Sequence, residues 1–182
     1  MRITAEGSTA LIIDIQKNLF PLIHENKLLL KNVNILIAGL KALKIPLMVT
    51  RQYPKGLGDT VDGLREGLMD IACIDKITFG CCDEPSFMEN LKRIDKRFVI
   101  ICGIEAHICV MQTVTGLIEA GYQPVVVEDC ISSRRAYDKA SAVERMRQEG
   151  AVITTYESLL YELCRYAGTN EFKEILKLIR EG

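Results

Sequence analysis

Short, β-rich apolar runs recur along this chain between longer stretches of helical period. Thr9–Ile15 (TALIIDI), Pro46–Thr50 (PLMVT), Arg97–Cys102 (RFVIIC), Pro124–Val127 and Ala151–Thr155 are such runs. Strands this apolar are buried on both faces, which is the condition of a parallel sheet covered by helices. The intervening segments supply the helices. Leu28–Lys44 places Leu29, Val33, Leu36, Ile37, Leu40 and Leu43 on one face, and Cys109–Ala120 does the same with Val110, Val114, Leu117 and Ile118 before a capping Gly121. Pro85–Ile94, Tyr137–Glu149, Ser158–Arg165 and Asn170–Arg180 are further predicted helices, and Ala72–Thr78 is a further strand. Arg51–Asp70, rich in Gly and holding Pro54, shows no period and is expected to be the longest irregular loop. Strands alternating with helices imply βαβ units, hence a three-layer α/β/α fold with a mostly parallel central sheet and Rossmann-like topology. No linker, repeat or composition shift divides the 182 residues, so 1–182 is expected to be one domain.

In such sheets ligands bind outside the carboxyl ends of the strands. That rule selects Asp14, Arg51, Lys76, the Gly103–Cys109 loop and the Glu128–Ser133 loop. Charge narrows the partners. With 23 Lys+Arg against 24 Asp+Glu, the net charge of −1 offers no field to hold nucleic acid or an anionic bilayer, so a small-molecule substrate is expected. The seven cysteines are an odd number, and the first residues, MRITAEGSTALI, lack the pattern of a signal peptide. Free thiols in a reducing cytoplasm are therefore expected. No apolar run approaches transmembrane length. There is no Cys-x-x-Cys and there are only two histidines, so neither a metal site nor another cofactor is expected.

Asp14 lies within LIIDIQ, where a carboxylate needs a cation or several donors to be tolerated. Lys76, in CIDKITF, meets the same constraint with the opposite sign. Cys109 follows a strand and opens a predicted helix, where unpaired N–H groups and the helix dipole favour a thiolate. Each alone has a plain structural reading: a strand-ending Asp, an exposed strand Lys, a core Cys. Together, opening on one crevice, their charges explain one another. His107 is two residues from Cys109, a spacing that turns the two side chains apart and disfavours a Cys-His dyad. Gly56-Leu57-Gly58 lacks the third glycine and the helix start of a dinucleotide fingerprint. Cys81-Cys82 and the other cysteines read as packing residues.

Asp14-Ile15-Gln16 with Phe20, then Lys76-Ile77-Thr78-Phe79, then Gly103-Ile104-Glu105-Ala106-His107-Ile108-Cys109-Val110 resemble, in order and context, the isochorismatase-like cysteine hydrolases. Gln52 to Gly58, Ser132-Ser133-Arg134 and Phe172 to Ile175 resemble the isochorismatase domain-containing proteins within that superfamily, and the similarity runs over nearly the whole chain. The resemblance implies an Asp-Lys-Cys triad of Asp14, Lys76 and Cys109. It also implies a cis peptide at Ile104-Glu105, oxyanion donors at the backbone N–H groups of Glu105 and Cys109, a pocket lined by Phe20, Gln16, Ile104 and Ile108, and a homo-oligomer.

Three departures refine this. Nicotinamidases carry an Asp-x-His metal element where this chain has Gln52 and Pro54, which argues against zinc and against nicotinamide. Ala106 replaces a threonine common among the amidases. True isochorismatases need no cysteine nucleophile, so Cys109 argues against isochorismate. The expected function is a metal-independent cysteine hydrolase cleaving a C–N bond of a small amide or related carbonyl compound. A non-enzymatic interaction protein and a thiol redox sensor on the same fold are the alternatives.

Overall fold

A computed structural model describes residues 1–181. Six strands, β1 (Ser8–Ile13), β2 (Leu47–Gln52), β3 (Cys73–Lys76), β4 (Phe98–Ile104), β5 (Gln123–Ser132) and β6 (Val152–Thr154), form one sheet in the order β3-β2-β1-β4-β5-β6, every pair parallel. The helices are α1 (Asn26–Ala42), α2 (Pro54–Leu57), α3 (Asp62–Leu68), α4 (Pro85–Ile94), α5 (Met111–Glu119), α6 (Ala136–Gln148), α7 (Tyr156–Cys164) and α8 (Asn170–Glu181). Successive strand residues point to opposite faces, and the core divides accordingly. Ala10, Ile12, Val49, Ile100 and Val125 pack with α1, α3, α7 and α8, while Leu11, Ile13, Met48, Ile101 and Val126 pack with α4, α5 and α6. The expected three-layer α/β/α architecture is therefore the observed one. Its chain order reverses between β1 and β4, which makes the carboxyl ends of those two strands the crevice.

Three sequence expectations change. Arg51–Asp70 is not a continuous loop, because it contains α2 and α3. Both are too short to show a period, and α2 starts at Pro54, whose fixed φ suits a first helical position. β5 runs well past Val127, since β4 and β5 slip register: Ile101 pairs with Val126 but Gly103 with Ile131. The polar Glu128-Asp129 pair sits in that irregular stretch, where Asp129 is used structurally, its carboxylate accepting the Tyr156 N–H at the start of α7 (2.9 Å). Finally, α5 begins at Met111, and Cys109 sits ahead of it in a π-helical turn, Ala106–Val110.

β4 also runs on through Gly103, at φ 135° beside Ile13 of β1. A Cβ there would collide with the Ile13 carbonyl oxygen and stand 2.7 Å from its nitrogen. Only glycine permits this approach. It brings the loop that carries Cys109 against the end of β1.

Candidate functional site

Asp14 is the first residue beyond β1, in a left-handed conformation (φ 52°) that Asp adopts more readily than most residues. Its backbone N–H reaches back to Thr50 O (3.2 Å), and its side chain is 1% exposed. Lys76, at the end of β3, is the buried cation that the sequence demands. Its Nζ is 2.7 Å from Asp14 Oδ2, and its remaining donors go to the carbonyls of Thr78 (3.0 Å) and Phe79 (2.9 Å). The ammonium is thus fully coordinated without water. The other carboxylate oxygen, Oδ1, accepts from Thr50 Oγ1 at 2.8 Å.

Cys109 is 7% exposed, packed in the same buried layer as the end of β1 and within the electrostatic reach of Asp14 and Lys76. Burial pushes the Cys109 pKa well above the usual thiol range, and the negative Asp14 adds to that, against a smaller opposing pull from Lys76. The helix-start argument for a resting thiolate is therefore reversed: the residue precedes the α-helix, and desolvation beside a carboxylate outweighs any dipole. Burial likewise raises the Asp14 pKa, with Lys76, Thr50 and Cys109 pulling the other way. For Lys76, burial opposes the charge, but the ion pair and hydrogen bond with Asp14 work against it and the Lys76 pKa is raised. Burial thus favours the protonated Cys109 thiol and raises the affinity of the Asp14 carboxylate for a proton.

The turn carrying Cys109 is pinned from both ends. The peptide Ile104-Glu105 is cis, at the position the resemblance assigns. The buried Glu105 carboxylate accepts from the backbone N–H of Arg134 (3.0 Å) and from its Nε (3.1 Å). His107 is turned away from Cys109, as its spacing predicts; its Nδ1 shares a hydrogen bond with Ser133 Oγ (2.9 Å), and its Nε2 is 3.9 Å from Asp138. The β5–α6 connection thus clamps the π turn, a local geometry that recurs at functional sites.

The expected pocket residues divide. Gln16 is buried with its amide engaged by backbone: Nε2 donates to Gln52 O (3.0 Å) and Gly58 O (2.7 Å), and Oε1 accepts from Gln52 N–H (2.8 Å). It ties the 52–58 segment to the crevice edge. Phe20 and Ile108 are half-buried, whereas Ile104 is fully buried in the core on the opposite side of the sheet from Cys109. A cleft of about 570 Å³ bounded by α1, α3 and α8 contains none of Asp14, Lys76 and Cys109, so chemistry rather than volume locates the candidate site. Among the described residues, no cluster of three or more His, Cys, Asp or Glu side chains is arranged to hold a metal ion.

Residues 8–158 match the Isochorismatase domain. The chain belongs to the isochorismatase family. It is 38% identical to isochorismatase domain-containing protein 2 of Danio rerio over 180 residues, covering 98% of this chain and 89% of that relative. Among solved isochorismatase-fold structures, the MAR1 ribonuclease of Caenorhabditis elegans superposes with a TM-score of 0.93 at 38% identity, covering 99% of this chain and 93% of that one. The YcaC gene product of Escherichia coli, described as an octameric hydrolase of unknown specificity, gives a TM-score of 0.92 at 26% identity, covering 98% of this chain and 89% of that one. The family has a hydrolase fold.

Sequence reasoning missed Thr50, Cys81 and Thr113, the hydroxyls and thiol packed against Asp14 and Cys109. A threonine ending an apolar run carries no signal of its own. Its partner Asp14 is 36 residues away in sequence.

Proposed function

We propose that this isochorismatase-family chain is a cysteine hydrolase of small amides or related carbonyl compounds, working through a thioester on Cys109 without a metal. The observation that carries this reading is the buried Asp14–Lys76 pair beside the Cys109 thiol, since a binding module has no use for two desolvated charges around a nucleophile. Asp14 takes the thiol proton as Sγ attacks the carbonyl carbon. The two events are coupled, because a free thiolate is disfavoured here and the raised Asp14 pKa makes it a stronger base. The carbonyl electrons move to oxygen, received by the backbone N–H groups of Glu105 and Cys109. Asp14 then protonates the leaving nitrogen, the C–N bond breaks, and the thioester remains. Water attacks it, giving a proton to Asp14; the C–S bond breaks, the acid leaves, and Cys109 regains its proton. Lys76 holds Asp14 in place, and Phe20 and Ile108 line the substrate side, with Gln16 bracing the 52–58 segment at its edge.

The family name points to a C–O bond of isochorismate and the MAR1 neighbour's name to RNA. A thiol nucleophile suits a carbonyl carbon better than a vinyl ether, and a net charge of −1 gives no hold on a polyanion. A homo-oligomer agrees with the octameric YcaC neighbour. Among the described residues no helix is long and apolar enough to cross a membrane, and the seven free cysteines suit a reducing cytoplasm. Ammonia release from a panel of small primary amides, run beside a single-stranded RNA substrate, tests the reading. Amide turnover lost in Cys109→Ala is expected; RNA cleavage without amide turnover would overturn it.

A further inference from the structure

Behind the triad, on the side away from solvent, one short segment touches both halves of the proposed chemistry. Cys81 begins a 3-10 turn, Cys81–Asp83, and is 0% exposed. Its backbone N–H donates to Thr113 Oγ1 (3.0 Å), and Thr113 Oγ1 lies 2.6 Å from Cys109 O. A backbone N–H can only donate and a carbonyl can only accept, so the Thr113 hydroxyl proton is directed onto the nucleophile's own carbonyl. The Cys81 thiol in turn points at Thr50 Oγ1 (3.9 Å), which is 2.8 Å from Asp14 Oδ1. An ionised carboxylate only accepts, so Thr50 must give its proton to Asp14. Thr50 and Thr113 are 1% and 0% exposed, which leaves no water to substitute for either hydroxyl.

We propose that Thr50 and Thr113 are positioning residues: Thr50 fixes the Asp14 carboxylate as the base, Thr113 fixes the backbone of Cys109, and the Cys81 turn joins the two so that base and thiol keep one relative placement. This rests on the triad reading above. Asp14 has no rotational freedom once Thr50 of β2 and Lys76 of β3 hold one carboxylate oxygen each. The titratable groups around it are the Lys76 ammonium on β3 and the thiols of Cys109 in the π turn, Cys81 in the 3-10 turn and Cys73 on β3. Only Lys76 and Thr50 among its neighbours stabilise the ionised form by donating to it while resting in the strands. Without Thr50, the carboxylate would keep Lys76 alone and could swing its second oxygen away from the thiol.

The test uses iodoacetamide as the probe, with Cys109 alkylation followed by peptide mass mapping across a pH series in the full chain. A donor to a carboxylate lowers its pKa, so Thr50→Val should move the acid limb of the alkylation profile up by about one pH unit and slow labelling about tenfold below it. Thr50→Ser, which keeps the donor, should restore the profile. Thr113→Val should slow labelling at every pH and leave the limb where it is, because it touches Cys109 and not Asp14. Thr115→Val, half-buried on α5 with its hydroxyl bonded only within that helix, is the control for losing a threonine hydroxyl. If Thr50→Val does not fold, Thr50→Ala against Thr50→Ser isolates the hydroxyl in the same way. A limb that stays in place in Thr50→Val or Thr50→Ala, while Asp14→Asn abolishes it, overturns the positioning role alone. Wild-type alkylation that is indifferent to Asp14→Asn overturns the triad reading beneath it.

Discussion

Replacing Lys76 by Met keeps the side chain's length and removes its charge from a place where Asp14 has no other cation. The two side chains are 0% and 1% exposed, so solvent cannot take over the lysine's role. Removing one partner of a buried pair costs about 3–5 kcal/mol, much of it the stranded charge. In a chain of this size that is a fall of about 6–20 °C in Tm. The cost depends on pH in a definite direction. Burial already raises the Asp14 pKa against the pull of Lys76, and without Lys76 it rises further. A carboxyl whose folded pKa is raised contributes stability that is complete below its unfolded value, near pH 4, and lost as pH climbs through the folded value. The deficit of Lys76→Met relative to wild type should therefore widen once pH passes the raised Asp14 pKa of the wild type, by up to ~1.4 kcal/mol per unit, until Asp14 is ionised in the variant too. Urea unfolding at several pH values measures it. The double variant Asp14→Asn/Lys76→Met should recover most of the loss, since neither charge is then stranded. A deficit under about 1 kcal/mol, one that narrows as pH rises, or a double variant no better than the single would refute the buried-pair reasoning.

Other perturbations separate the framework from the chemistry. Gly103→Ala should abolish soluble folding because its Cβ has no room against Ile13, whereas Gly121→Ala, at φ 86° with nothing nearby, should cost only about 1–2 kcal/mol by urea midpoint. Asp59, held by Arg51 and Arg65, has its pKa lowered to about 2, so its contribution is present above about pH 4 and lost as pH falls through 2. Asp59→Asn should flatten that acid limb in a thermal-melt series. Glu105→Ala, which frees the π turn from Arg134, should destabilise by about 1–3 kcal/mol and also slow Cys109 alkylation; unchanged labelling would show that the clamp does not hold the nucleophile.

The parts of the molecule that were legible in sequence are those whose physics is local. β1, β2, α1, α4 and the core face of α8 declare themselves by apolar pattern, and Asp14 and Lys76 by the cost of placing charge among apolar neighbours. What stayed hidden depends on tertiary closure. The length of β5 is set by a register slip against β4 that carries polar Glu128-Asp129 inside a strand. α2 and α3 are short, masked by Gly56, Gly58, Gly63 and Gly67 and held in place by the Arg51–Asp59 and Lys17–Asp62 ion pairs. Cys109 could be placed at the crevice from sequence, but the sign of its pKa shift could not, because burial and the approach of Asp14 are consequences of the fold. Cys81, read as a packing residue, does pack, yet its backbone and thiol also engage the two threonines behind the triad.

The central claim is that Cys109 forms a covalent acyl intermediate with Asp14 as its base, and intact-protein mass spectrometry after rapid acid quench tests it most directly. Incubation with a panel of small amides should give an adduct of the acyl mass, mapped to the peptide bearing Cys109, discharged by hydroxylamine and absent from Asp14→Asn. Turnover that persists in Cys109→Ala, or an adduct confined to another cysteine, would contradict the account.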